Sequence, residues 1–301
     1  MSTRRCAHAL LAVAMLIVAF GLLVPATSAS PTVRRTFRAT LGAGAVHGTA
    51  TLWAYQTGDA LSQLTIKHLR ANTTYSVRVY AGSCASLGHL AVALPGLRTG
   101  ADGTADRTLG VSIGKMNLVW RYARSQTIVI RFASGSSVAC GRLSFPVVTR
   151  VAIPAYKINL PVVRPPGSTA TFPYCNVAQY FEGLSQPGEP GVTLIFAHAR
   201  TGMFLPLLTR SMVSNGVAMV GKTVNVYTSS NKLYTYQITQ VRRHQTSIQS
   251  AVTATDPQLW LQTSEGPNAS SKKLIIVARL VSVTPTTKAA AQPVPHRVVC
   301  R

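Results

Sequence analysis

Phe196-Ala197-His198-Ala199-Arg200-Thr201-Gly202-Met203-Phe204-Leu205-Pro206-Leu207-Leu208 carries a histidine between an apolar run and a glycine-containing segment. It follows Val192-Thr193-Leu194-Ile195, four apolar or β-branched residues placed after a turn signal at Pro190-Gly191 and before a polar break. That is the pattern of a buried strand. His198 therefore stands where a strand ends and a glycine-containing loop begins. Such a position holds the backbone rigid while the imidazole reaches into a cleft, which general acid-base chemistry requires. A histidine at a strand end is, on its own, more often packed or solvated than catalytic, so the neighbouring segments carry the decision.

Those neighbours recur in order. Ile153-Pro154 to Pro161-Val162-Val163 reads as an opening strand, Pro187-Gly188-Glu189-Pro190-Gly191 as a turn, and Phe204-Leu205-Pro206-Leu207 as the run after the histidine. Val224-Asn225-Val226-Tyr227 and Leu233-Tyr234-Thr235-Tyr236-Gln237-Ile238 read as paired middle strands. Together the segments, about residues 151 to 282, resemble the sortases of class E or F type, cell-wall transpeptidases of Gram-positive-type bacteria. The resemblance implies an eight-stranded β-barrel and a mechanism. In that mechanism a cysteine thiolate attacks a backbone carbonyl within a C-terminal sorting signal, often of the Leu-Pro-x-Thr-Gly type, and an amine resolves the thioester. A histidine protonates the leaving amine and an arginine holds the oxyanion or the substrate. No cofactor and no metal are implied.

Two positions depart from the family pattern. The family's nucleophile strand reads Thr-Leu-x-Thr-Cys, where this chain has Trp260-Leu261-Gln262-Thr263-Ser264. The arginine position, just before Leu274-Ile275-Ile276-Val277-Ala278, holds Lys273. A hydroxyl does not rest as an anion beside an imidazolium, so Ser264 needs a general base, and His198 is the base expected in the serine-hydrolase manner. Lysine keeps the charge of arginine and loses its planar fork. Arg200 and Arg210 lie near His198 in sequence and read as solvated.

Cys175 offers a second thiol. In Cys175-Asn176-Val177-Ala178-Gln179-Tyr180-Phe181, residues Val177, Tyr180 and Phe181 fall at i, i+3, i+4 spacing, which predicts a short helix with Cys175 near its N-terminus. Helix amides there would favour a thiolate. The other reading is a disulfide with Cys300. Three accounts stay open: Cys175 with His198 as a relocated thiol site, Ser264 with His198 as a slow hydrolase or transferase, and a catalytically inactive surface-binding or adhesion protein.

Residues 1–29 have the layout of an export signal. Arg4 and Arg5 precede an apolar run from Ala9 to Val24, and small residues follow at Thr27, Ser28 and Ala29. The run is short for a membrane span, so cleavage is favoured over a retained signal-anchor. The expected location is outside the cell or on the outer side of the membrane or wall. Four cysteines beyond the signal suit an oxidising setting.

Between residues 31 and 148, short strand-like segments alternate with turn signals, which predicts a β-sandwich. Leu69-Arg70-Ala71-Asn72-Thr73-Thr74-Tyr75 resembles the turn and tyrosine of fibronectin-like or superoxide-dismutase-like sandwiches. A metal site of the dismutase kind is not expected, because alternate strand positions hold Val77 and Val79, and His47, His68 and His89 read as surface residues. Cys84 and Cys140 are expected to pair. The fold class is thus all-β, a sandwich at 31–148, a sortase-like barrel at 149–282, and a disordered tail at 283–301. Thirty Lys and Arg against seven Asp and Glu give a formal charge of +23. Such a surface attracts anionic wall polymers or a membrane surface. With basic residues scattered and no recognition motif, nucleic acid is not an expected partner.

Overall fold

A computed structural model describes residues 33–55, 59–111, 126–166 and 173–300. The export-signal segment, residues 1–29, lies outside the described residues. No helix among the described residues is long and apolar enough to cross a membrane.

Eight strands build the N-terminal sheet: β1 (Val33–Ala43), β2 (Val46–Tyr55), β3 (Ala60–Lys67), β4 (Thr74–Ser83), β5 (Ser86–Arg98), β6 (Ala105–Val111), β7 (Gln126–Arg131) and β8 (Ser137–Leu143). Their order is β5-β4-β7-β8-β1-β2-β3-β6. The seam between the two four-stranded halves is thin: β1 meets β8 at the single pair Gly42 and Cys140, with an isolated bridge from Arg38 to Ser144. Strict alternation explains the burial. In β3, Ala60, Ser62, Leu64 and Ile66 point inward and their neighbours outward, as a period of two requires. Phe37, Leu52, Leu64, Tyr75, Val77 and Ile128, drawn from both halves, share one core. The expected sandwich is therefore one hydrogen-bonded sheet whose halves close over a common core. The Tyr75 hydroxyl accepts from the Arg70 backbone N–H at 2.9 Å, the local bond of a tyrosine corner. Cys84 and Cys140 are joined by a disulfide.

The second body is a closed barrel. Its chain order is β9 (Val148–Ile153), β10 (Ile158–Val163), β11 (Tyr174–Cys175), β12 (Ala178–Tyr180), β13 (Val192–Phe196), β14 (Thr223–Thr228), β15 (Lys232–Gln245), β16 (Gln258–Ser264), β17 (Lys273–Pro285) and β18 (Val298–Val299). Eight of these close in the order β10-β12-β13-β16-β17-β15-β14-β9, while β11 pairs only with β18. Helix α1 (Leu205–Met212) follows the histidine loop, and the short α2 (Gln249–Thr253) and α3 (Lys288–Ala291) cap the outside.

Every residue of β13 is buried, which is why it reads as an unbroken apolar run. Ile195 faces the barrel interior with Leu259, Leu261 and Leu274. Leu194 and Phe196 face an outer cluster with Leu184, Trp260, Ile275 and Val277. Gly191 opens the strand at φ +95°, where a Cβ would stand 2.9 Å from the Ser185 Oγ, so the turn needs glycine.

Two expectations fail here. The segment from Cys175 to Phe181 is not a helix: Asn176 turns the chain at φ +64° and β12 enters the barrel as a fully buried strand. The helical spacing of Val177, Tyr180 and Phe181 was coincidental, because burial on both sides erases the strand's own alternation. The tail from 283 is ordered rather than disordered. β17 runs on to Pro285 against β15, Ala291 of α3 is fully buried, and Cys300 is tied to Cys175.

The sheet and the barrel are joined by an ion pair. Arg35 of β1 donates to both Glu189 oxygens at 3.0 and 3.1 Å and to the Leu184 carbonyl at 3.0 Å, with side-chain exposures of 3% for Arg35 and 16% for Glu189. Glu189 also accepts from the Gln186 N–H at 2.7 Å. The turn that launches the histidine strand is thereby held to the N-terminal sheet.

Candidate active site

Parallel pairing of β13 with β16 brings His198 and Ser264 to one end of the barrel. Phe196 stands opposite Gln262, and the Ala197 N–H donates to the Gln262 carbonyl at 3.2 Å. The Thr263 hydroxyl donates to the Ala197 carbonyl at 2.8 Å and locks the two strand ends together. Ser264 then ends β16, and His198 lies two residues beyond the end of β13. Antiparallel pairing of β16 with β17 then sets Ser264 directly opposite Lys273.

Alternation fixes the direction of these side chains. Leu259 and Leu261 point into the barrel, as do Leu274 and Ile276, so Ser264 and Lys273 fall on the outward face with Trp260 and Ile275. Both are half-buried. The Lys273 Nζ lies 2.9 Å from the Ser264 Oγ and donates to the Ala269 carbonyl at 3.0 Å. Burial holds the Lys273 amine below its ordinary value.

His198 has a different setting. Its Nε2 lies 3.2 Å from the Pro173 carbonyl. Its ring nitrogen and the sulfurs of Cys175 and Cys300 all lie within 4.8 Å of one another. Burial pushes the imidazole below its usual value, the Pro173 contact opposes that, and the Arg200 guanidinium adds to it. The loop is tight: the Phe204 N–H donates to the His198 carbonyl at 3.0 Å, and Gly202 takes φ +77°.

Cys175 is bonded to Cys300, with Cα atoms 5.2 Å apart. In this form it carries no thiol and sits in a strand rather than at a helix N-terminus, so both physical motives for a relocated nucleophile are gone. The bond instead straps β18 onto β11 beside His198. A groove of about 990 Å³ opens there, lined by Asn176, Ala199, Arg200, Met203, Leu205 and Val299 among others. Ser264 and Lys273 lie outside its lining. The three side chains Cys175, His198 and Cys300 would be a soft donor set for a metal only with the disulfide reduced.

The barrel has a histidine, a serine and a lysine at its β13, β16 and β17 ends, and residues 151–281 match the family described as Sortase domain. The barrel is a sortase domain. Solved structures similar to this chain include sortase A of Listeria monocytogenes, 20% identical, covering 48% of this chain and 93% of that one with a TM-score of 0.39. Sortase C of Streptococcus pneumoniae is 18% identical over 46% of this chain and 70% of its own, with a TM-score of 0.37. Sortase C-1 of Actinomyces oris is 16% identical over 44% and 71%, with a TM-score of 0.36. Comparison with curated proteins returns no match. The assignment rests on the family match over residues 151–281.

Sequence reasoning placed His198, Ser264 and Lys273 at strand ends; in the structure His198 lies two residues past β13, Ser264 ends β16 and Lys273 begins β17. What it missed was the direct Ser264 to Lys273 contact and the Pro173 carbonyl at the imidazole. The first was readable in principle. Residues 265–272 form a hairpin loop closed by the Glu265 N–H to the Lys272 carbonyl at 2.9 Å, and the residues flanking such a loop face one another. Pro173 gave no signal.

Proposed function

We propose that the sortase domain cleaves an extended peptide of sorting-signal or wall-peptide type through an acyl-enzyme on Ser264, and passes the acyl group to an amine or to water. The observation that carries this reading is the arrangement of Ser264, His198 and Lys273 at adjoining strand ends, with the Lys273 Nζ 2.9 Å from the Ser264 Oγ. In the step, Oγ gives its proton to a neighbouring base and bonds to the scissile carbonyl carbon, the C–N bond breaks, and the leaving amine takes a proton from His198. The groove beside His198, about 990 Å³ in volume, offers room for a short peptide segment.

The site acts outside the cell in this reading. Supporting it are two disulfides, which persist in oxidising compartments, and the export-like N-terminal sequence. The formal charge of +23 suits attachment to an anionic wall polymer or membrane surface.

The test uses purified full-length protein and a panel of quenched fluorescent peptides of the Leu-Pro-x-Thr-Gly type, with an added amine. Wild type should cleave at least one. Ser264→Ala should lose at least a hundredfold, and His198→Ala at least tenfold. Cleavage surviving in Ser264→Ala overturns the serine assignment. Saturable binding of peptides that are never cleaved favours instead the second reading, an inactive surface-binding protein, which the loss of the family's cysteine at position 264 supports.

A further inference from the structure

We propose that Lys273 is the catalytic base of Ser264, so that the two form a serine-lysine dyad and His198 serves elsewhere in the reaction. This rests on the reading of Ser264 as nucleophile. The geometry gives three grounds.

First, the contact is direct. Ser264 and Lys273 are register partners across β16 and β17, and Oγ and Nζ are 2.9 Å apart. The Ala269 carbonyl accepts from the same nitrogen at 3.0 Å. A neutral amine satisfies both contacts at once, giving an N–H to Ala269 and its lone pair to the serine O–H.

Second, the surroundings do not hold the amine as a cation. Glu265, the carboxylate next in sequence, is taken up by the His244 Nδ1 at 2.6 Å, the His244 N–H at 3.1 Å and the Arg243 guanidinium at 3.5 Å. The neighbour across β15 is Gln245, which is neutral and donates to the Arg243 carbonyl. Lys272 is exposed to solvent. Among the described residues no carboxylate pairs with Lys273, while the Arg243 guanidinium adds positive charge on that side. Burial acts in the same direction, favouring the neutral amine.

Third, one ring nitrogen of His198 already has a partner of its own. Its Nε2 is engaged with the Pro173 carbonyl at 3.2 Å, an acceptor that keeps a proton on that nitrogen, and its ring lies against the disulfide. An arginine at position 273 could not act as a base at all, since its guanidinium does not deprotonate in proteins. Serine at 264 and lysine at 273 thus form a working pair where either one alone would not.

The chemistry balances. The Ser264 Oγ–H proton passes to the Lys273 Nζ as Oγ bonds to the acyl carbon, and the resulting ammonium stands beside the developing oxyanion. The leaving amine takes its proton from His198 as the C–N bond breaks, and Nζ gives the serine proton to solvent, from which His198 regains its own; when the acyl-enzyme is resolved, the neutral Nζ takes a proton from the attacking amine or water and returns it to Oγ as the Oγ–C bond breaks.

The test follows adduct formation by intact-protein mass with an alkyl fluorophosphonate, which needs no peptide substrate. The Oγ–P bond forms, fluoride leaves, and the proton goes to Nζ. Wild type should gain one adduct, mapped to Ser264, at a rate that rises with pH through a midpoint below the ordinary lysine value. Lys273→Met and Lys273→Arg should each slow labelling at least a hundredfold while keeping a wild-type unfolding transition. His198→Ala should slow it no more than tenfold. Propylamine added to Lys273→Ala should restore at least tenfold. If Lys273→Arg labels within tenfold of wild type, the residue serves only as a cation and the dyad is refuted, with Ser264 still the nucleophile. If wild type gains no adduct at Ser264, the nucleophile itself is refuted and the dyad with it.

Discussion

Removing the strap beside His198 with Cys175→Ser and Cys300→Ser together tests how the tail contributes to the barrel. The two cysteines are 125 residues apart, so the bond closes most of the barrel sequence into one loop. In the chain-entropy treatment a loop of that length stabilises by about 5 kcal/mol, somewhat more than the roughly 4 kcal/mol for the 56-residue separation of Cys84 and Cys140. Replacing both residues also leaves β18 with only its pairs to β11, Val299 to Tyr174 and Val298 to Cys175. Two such pairs cannot hold a strand against its backbone entropy, so the end of the tail should come away. Guanidinium unfolding followed by tryptophan fluorescence should show a loss of about 3 to 5 kcal/mol. A second consequence falls on His198, whose imidazole is held below its usual value first by burial. With the tail released, its NMR titration midpoint should move back up towards the ordinary histidine value. An unchanged unfolding midpoint together with an unchanged His198 titration would refute the reasoning, because it would mean that the tail neither constrains the chain nor covers the ring.

Arg35→Met should cost about 3 kcal/mol in urea unfolding, because it takes the guanidinium away from a largely buried Glu189 carboxylate; adding Glu189→Gln should recover part of that loss. Stability should fall as pH drops below about 6.5. His198 has a lowered folded value, so the unfolded chain binds the proton first; His198→Gln should flatten this part of the profile. At alkaline pH the sign for Lys273 follows the same rule: the folded amine loses its proton before the unfolded one, so its contribution rises with pH just below the ordinary lysine value, and Lys273→Met should remove that rise. Gln179, fully buried on β12 with neither amide atom hydrogen-bonded, should tolerate Gln179→Met with a gain of roughly 1 kcal/mol in the same unfolding assay.

The sequence made the barrel legible because its strands carry two kinds of signal. β13 and the Leu274 to Ala278 part of β17 are buried on both faces, and the turn at Pro187 to Gly191 precedes β13, so β13 and the start of β17 were placed within a residue, while the run of β17 on to Pro285 was missed. The N-terminal sheet was readable for the opposite reason, the clean alternation of strands such as β3. Failure came where neither signal operates. β12 is three residues long and buried throughout, leaving no period to read, and a chance i, i+3, i+4 spacing filled the gap. The tail from Thr284 is rich in proline and polar residues, and its order comes from contacts 60 to 140 residues away: Gln292 to Ser229, and the Arg150 side chain to the Ala290 carbonyl at 2.8 Å. Composition does not encode such contacts.

The site shows the same division at finer scale. Ser264 and Lys273 were each found by position within a family pattern, and each on its own reads as a loss: a nucleophile that does not ionise and a cation that orients an oxyanion less well. Their meaning lies in the register, since a hairpin of eight loop residues sets the two side chains face to face on the outward side of the barrel. A site built on a thiolate and an imidazolium needs its cation only as a charge, and arginine serves that well. A site built on a hydroxyl needs a base within hydrogen-bond reach, and lysine can become one when burial weakens its hold on the proton. On the proposed dyad the two departures from the family pattern act as one change rather than two, and Lys273→Arg, a substitution that restores the family's residue, is then expected to abolish labelling of Ser264.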